Sequence, residues 1–175
     1  MTDDVAKLIV IAGLPGTGKT TLARSISQRI GACYIRVDAI ETAIARINGP
    51  VTGPEGYAVA VEVSRSNLLI GQSVVVDAVC PVIESRTAWA NLAVEASASL
   101  TIFETHLTDL AEHEQRVIAR VPDIPGQHLP TWDSVQSLCY QPWDTTTDGD
   151  RFRVDTSNSE AAVRSALSAL QEDEP

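Results

Sequence analysis

The sequence predicts an α/β fold, a three-layer arrangement with a five-stranded parallel sheet and helices on both faces. Three observations carry that expectation. Short apolar runs alternate with amphipathic stretches along the whole chain. The first run, Lys7–Ala12, opens straight into Gly13-Leu14-Pro15-Gly16-Thr17-Gly18-Lys19-Thr20, and that loop opens into a helical pattern. No repeat or low-complexity tract interrupts the alternation. The chain has 175 residues, 44% of them hydrophobic, which is enough for one core, so residues 1–175 are expected to form a single domain.

The elements follow in order. Lys7–Ala12 reads as a buried strand, and Thr21–Ile30 as a helix with Leu22, Ile26 and Ile30 on one face. Gly31 fits a C-terminal cap. Cys33–Val37 reads as the second strand, ending at Asp38, and 39–47 as a helix. Residues 48–56 carry glycine and proline breakers. Tyr57–Ile70 reads as a helix with Val59, Val63 and Ile70 apolar. Ser73–Val76 is the third strand, closed by Asp77. Pro81 suits the first turn of a helix over 82–96. Leu100–Thr105 is the fourth strand, and 108–120 a helix capped by Thr108. Three prolines and a glycine make 121–131 irregular. Trp132–Tyr140 is a short helix, 141–150 a polar loop, Arg151–Val154 the fifth strand, and Ser159–Leu170 the closing helix.

The loop fits G-x-x-x-x-G-K-[ST] at every fixed position, with a strand before it and a helix after it. Glycines let the backbone approach a ligand without a Cβ in the way. Main-chain N–H groups of Gly16 to Thr20 can then face phosphate oxygens, helped by the positive end of the helix dipole. Gly13, Pro15, Gly16, Thr17, Gly18, Lys19, Thr20 and Thr21 are therefore the expected nucleotide contacts. Lys19 can reach the β and γ phosphates of ATP, and the Thr20 hydroxyl can ligate Mg²⁺. Asp77, at the end of the third strand, is either a helix cap or the second acidic residue that holds Mg²⁺. Asp38 should lie near the loop, because ligands of open α/β sheets sit beyond the carboxyl ends of the strands.

Charge and cysteine usage exclude other classes. Thirteen basic and 23 acidic residues give a net charge of −10, which argues against nucleic acid or an anionic membrane as partner. Cys33, Cys80 and Cys139 are far apart and read as free thiols without a zinc site. His106, His113 and His128 show no ligand spacing and read as surface or lightly buried. The acidic start Met1-Thr2-Asp3-Asp4 is not that of a signal peptide, and no apolar stretch is long enough to span a membrane, so a cytoplasmic location is expected.

The chain resembles the small P-loop kinases of the chloramphenicol-phosphotransferase-like, AAA-type ATPase group, which are nucleoside-monophosphate-kinase-like. The likeness rests on Gly13–Ala23, Arg36–Ile40, Gly53–Tyr57, Val74–Asp77, Arg116 with Arg120, Pro142–Asp144 and Val154–Thr156, and it covers nearly the whole chain. It implies sheet order 2-3-1-4-5, a substrate-binding insert at 48–70 and a lid region at 108–145. It makes Asp38 the candidate general base, against the plainer reading of a helix cap. It makes Arg116 and Arg120 lid arginines that close on the γ-phosphate, against a solvated helix face paired with Glu112 and Glu114. Thr156 and Asn158 fall where related kinases pass the adenine base. Lys19, Asp38, Arg116 and Arg120 are the catalytic candidates, and Thr20 and Asp77 the metal ligands. Arg86 reads as a helix-surface residue or as a group that steers an anionic substrate. Trp132 and Trp143 read as core packing or as a platform for a ring. The Asp-Glu pair of AAA+ machines is missing after Val76, and the Asp-Gly-Asp-Asn stretch of adenylyl-sulfate kinases is missing near Asp38.

The activity expected from this is transfer of the γ-phosphate of ATP to a hydroxyl of a small molecule. The alternatives are a nucleotide-binding regulatory ATPase module without an acceptor, and a polynucleotide 5′-hydroxyl kinase. The acceptor and the oligomeric state have no readable code.

Overall fold

The structure, a computed structural model, describes residues 5–172; the acidic start at 1–4 lies outside them. The elements are β1 (Lys7–Ala12), α1 (Lys19–Ile30), β2 (Cys33–Arg36), α2 (Val37–Asn48), α3 (Glu55–Leu68), β3 (Val74–Asp77), α4 (Ile83–Glu95), β4 (Ser99–His106), α5 (Leu110–Ile118), α6 (Trp132–Gln136), α7 (Thr145–Asp148), β5 (Phe152–Asp155) and α8 (Ser159–Glu172). The strands form one parallel sheet in the order β2-β3-β1-β4-β5, as the resemblance implied.

Side chains of β1 alternate between two cores. Leu8, Val10 and Ala12 face the layer built by α2, α3 and α4, with Val76, Trp89 and Leu92. Ile9 and Ile11 face α1 and α8, with Leu22, Ile26, Val163 and Ala166. Leu8, Ile9 and Ile11 are all fully buried, each worth about 1.5–3 kcal/mol. A strand covered on both sides reads as a continuous apolar run, as parallel strands do.

Several sequence expectations are corrected. α2 begins at Val37, so Asp38 stands in the first helical turn and not at a strand end; the N-cap position is Arg36, and no side chain caps it. Asp38 is therefore no cap. Asp77 is no cap either, because α4 starts at Ile83 after Val82. α5 is capped by Asp109, whose side chain accepts from Ala111 N and Glu112 N, and not by Thr108. In α3 the buried face is Gly56, Ala60, Ser64 and Leu68, while Val59 and Val63 are 43% exposed and Ile70, beyond the helix, is 79% exposed. Small residues at four-residue spacing let α2 and α3 approach closely. A Cβ on Gly56 would fall 2.2 Å from Glu41 Cγ. The 141–150 stretch holds one short helix, α7, capped by Asp144.

Candidate functional site

The loop between β1 and α1 is braced from below. Thr17 Oγ1 donates to Leu14 O at 2.8 Å and lies 2.7 Å from Thr105 Oγ1 of β4. Thr156 Oγ1, after β5, donates to Thr17 O at 2.7 Å. His113 of α5 is buried and its Nε2 donates to Pro15 O at 2.8 Å. The sequence reads that histidine as surface or lightly buried; it is a buried loop brace, reached across 98 residues of chain that no local pattern joins.

Gly13 and Gly16 need glycine. Gly13 has φ +134°, and a Cβ there would sit 2.5 Å from Thr105 O. Gly16 has φ +85°, and a Cβ there would sit 2.6 Å from Val117 Cγ2. Gly13→Ala should therefore cost about 1–3 kcal/mol of stability and weaken ATP binding at least about tenfold, since a main-chain oxygen cannot step aside. Urea unfolding and an ATP titration check both effects.

Above the loop lies an open cleft of about 680 Å³. Pro15, Gly16, Gly18, Lys19, Thr20 and Thr21 line it. Gly13 and Thr17 do not; they lie beneath, turned toward Thr105. Lys19 is 9% exposed, and its Nζ donates to Leu14 O at 2.8 Å. Burial pushes its pKa below the ordinary lysine value, and the nearby Asp77 and Asp38 carboxylates pull it back up.

Thr20 and Asp77 meet. Thr20 Oγ1 donates to Asp77 Oδ2 at 2.7 Å, and Tyr34 OH donates to the same oxygen at 2.9 Å. Asp77 is 4% exposed, and it raises the Tyr34 pKa together with burial, the larger cause. A hydroxyl and a carboxylate are the hard oxygen donors that Mg²⁺ takes. Among the described residues no group of three or more His, Cys, Asp or Glu is placed to hold a metal. The donor set thus fits an ion that also relies on phosphate oxygens and water.

On the far wall α2 presents Asp38 and Glu41, one turn apart and both lining the cleft. Asp38 Oδ2 accepts from Gln127 Nε2 at 3.3 Å and lies 3.5 Å from Arg36 Nη2. Burial raises Glu41 to about 7, with Asp38 and Glu55 adding to the shift. A carboxyl raised on folding favours the fold below its unfolded pKa and stops doing so above its folded one. Stability should therefore fall as pH rises from about 4.5 to about 7 through Glu41. Glu41→Gln removes that slope. Its urea midpoint should match wild type at pH 4.5 and exceed it at pH 8.

Arg116 and Arg120, which the resemblance implied as a pair, have different surroundings. Arg116 in α5 donates to Thr156 O at 3.1 Å and Ser157 O at 3.2 Å, and pairs with Glu112 at 2.6 Å. It lies between the large cleft and a smaller pocket of about 230 Å³ lined by Gly18, Thr156 and Ser157. Arg120 lies past the end of α5, lines the large cleft, and its side chain makes no hydrogen bond or ion pair among the described residues.

Arg86 is neither on the surface nor in the cleft. It is 2% exposed and pairs with Asp148 at 2.8 Å, donates to Gln141 O at 2.6 Å, and lies 4.6 Å from the Trp143 ring. Its task is to pin the 141–148 stretch to α4. Trp143 packs between Arg86 and Arg151. Trp132 packs edge-on against His113, 5.1 Å between centroids. Cys80 is 1% exposed, and burial pushes its thiol up to about 12, so it is inert at neutral pH. The residues that sequence reasoning missed are Arg24, Tyr34, Arg36, Glu41, Asp123 and Gln127. Arg36 and Asp123 meet across 87 positions, and no local spacing joins them.

Comparison with known proteins places the chain in a family and a fold. The family model described as AAA domain (AAA_33) matches residues 8–135. The chain belongs to that family. The match runs from β1 into α6, so it takes in the phosphate loop, Asp38, Asp77 and Arg120. Uncharacterised proteins of Mycobacterium tuberculosis and Mycobacterium bovis are 27% identical over 129 residues, covering 65% of this chain. The chain spans about a quarter of the length of these relatives, 26%. Solved structures of the same fold include a gluconokinase from Sinorhizobium meliloti 1021, at TM-score 0.68 and 19% identity over 96% of this chain and 93% of that one. A sugar kinase from Janibacter sp. HTCC2649 gives TM-score 0.70 at 16% identity, over 95% of both chains. Chaetomium thermophilum Kti12 in complex with ADP-AlF3 gives 0.71 at 19% identity, over 94% of this chain and 97% of that one. These structures share the overall fold of this chain.

Proposed function

We propose that residues 1–175 form one kinase domain that transfers the γ-phosphate of ATP to a hydroxyl of a small molecule. One observation carries this reading: Lys19 and Thr20, the Asp38 carboxylate and Arg120 all line the same cleft. The gluconokinase and sugar kinase of the same fold support an acceptor rich in hydroxyls.

In this reading the loop amides and Lys19 hold the phosphates. Thr20 and Asp77 would hold Mg²⁺, which would offset the negative charge of the triphosphate. Asp38 orients the acceptor hydroxyl and takes its proton as the bond to phosphorus forms. Arg120 is the arginine for the γ-phosphate, because among the described residues its guanidinium has no partner to leave. Arg116 is tied to Thr156 and Ser157 and instead borders the nucleoside end. Substrate selection falls to the 48–70 insert and the 108–145 lid region. The net charge of −10 and the absence, among the described residues, of any helix long and apolar enough to cross a membrane fit a small-molecule acceptor.

A panel of sugars, sugar acids, nucleosides and amino sugars, screened for ADP release with Lys19→Ala as blank, tests the reading. Stimulation by one chemical class is expected. ATP turnover that no member of the panel changes would contradict it.

A further inference from the structure

Arg36 closes β2 with its side chain only 4% exposed. Carboxylates from three separate places surround the guanidinium. Nη1 donates to both oxygens of Asp123, at 2.9 and 2.8 Å. Nη2 stands 3.5 Å from Asp38 Oδ2. Nε stands 3.7 Å from Asp77 Oδ2, and it is buried without a hydrogen-bond partner. Asp123 belongs to the irregular segment between α5 and α6, where Arg24 of α1 also donates to it at 2.8 Å. Gln127 of that segment reaches Asp38.

A guanidinium is planar and its donors point in fixed directions. Seating Asp123 on Nη1 therefore also fixes where Nη2 and Nε point. An arginine needed only to neutralise Asp77 would place its Nε closer than 3.7 Å; here Nη1 gives its bifurcated bond to the segment and the orphaned Nε is the cost. The strong bonds of Arg36 hold Asp123, and its remaining edge faces Asp38 of the cleft wall and the buried Asp77.

We propose that Arg36 is a positioning residue: it sets the place of the Asp38 carboxylate, and does so only while Asp123 of the 119–131 segment is seated on it. The proposal rests on Asp38 acting as the base. It makes the acceptor side of the site complete only when that segment is down. Asp123 is suited to the part. It is half-exposed at 40%, so it can leave, and the Arg36 hydrogen bond holds its carboxyl below the usual aspartate range, so it stays charged near neutral pH.

The test uses Asp123→Asn, which keeps shape and removes the charge, with Asp123→Glu as the conservative partner. Amide hydrogen exchange on the full chain should run about fivefold faster in Asp123→Asn, both across 119–131 and in the first turn of α2 at 37–41. ATP turnover with the acceptor panel should show kcat about tenfold lower and KM for ATP within about twofold. Asp123→Glu should return both readings toward wild type. Faster exchange confined to 119–131 with unchanged kcat would overturn the proposal, as would equal changes in kcat and KM. If the wild-type chain turned over no ATP, the proposed activity would fall. Exchange at 37–41 would still decide whether Arg36 couples the two segments.

Discussion

Lys19→Ala should lower ATP turnover about 10³-fold, a loss of roughly 4 kcal/mol of transition-state stabilisation. The ammonium is the one full positive charge that the loop itself supplies, and it acts where water is scarce and charge interactions are strong. The same variant should fold at least as well as wild type. Burial penalises the charged Lys19, as its lowered pKa records, and alanine removes a group held there at a cost. Activity and stability should therefore move in opposite directions. Steady-state kinetics with a thermal melt on the same preparation checks this. Near-native turnover would remove Lys19 from the phosphate site, and a collapsed melt would make the activity loss uninformative about chemistry.

Asp38→Asn should separate binding from transfer. Asparagine keeps the volume and one carbonyl oxygen, so Gln127 retains an acceptor. It cannot take a proton. Transfer to the acceptor should fall by about 10²-fold or more, while ATP affinity stays within about twofold, because the partners of Asp38 are Gln127 and Arg36 and not the phosphate loop. Isothermal titration beside a product assay checks both. Transfer at wild-type rate would assign Asp38 to shaping the wall alone.

What the sequence made legible was local. The strand, glycine loop and helix of residues 7–30 carry their own signature, and each half of it depends on neighbours within a few positions. Short strands alternating with helices gave the parallel sheet for the same reason. Periodicity failed where a helix packs through small residues. Val59 and Val63 look like the buried stripe of α3, yet Gly56, Ala60 and Ser64 are its buried side, and at Gly56 α2 comes close. Non-local electrostatics failed altogether. Arg86 finds Asp148, Arg36 finds Asp123 and His113 finds Pro15 at separations of 62, 87 and 98 residues. Each is a polar side chain that solvent exposure would explain equally well, and only the packing of distant elements decides. Asp38 and Asp77 sat between these cases. The strand ends expected just before them pointed to the cleft, but only the actual helix starts, which put Asp38 inside α2, removed the capping alternative.

Calorimetric titration of the wild-type chain with ATP and magnesium tests the central claim most directly. Saturable binding at one site is predicted, with a dissociation constant below about 1 mM, or at least about 4 kcal/mol, and it should be lost in Lys19→Ala. No heat of association from the wild-type chain at millimolar ATP would contradict it.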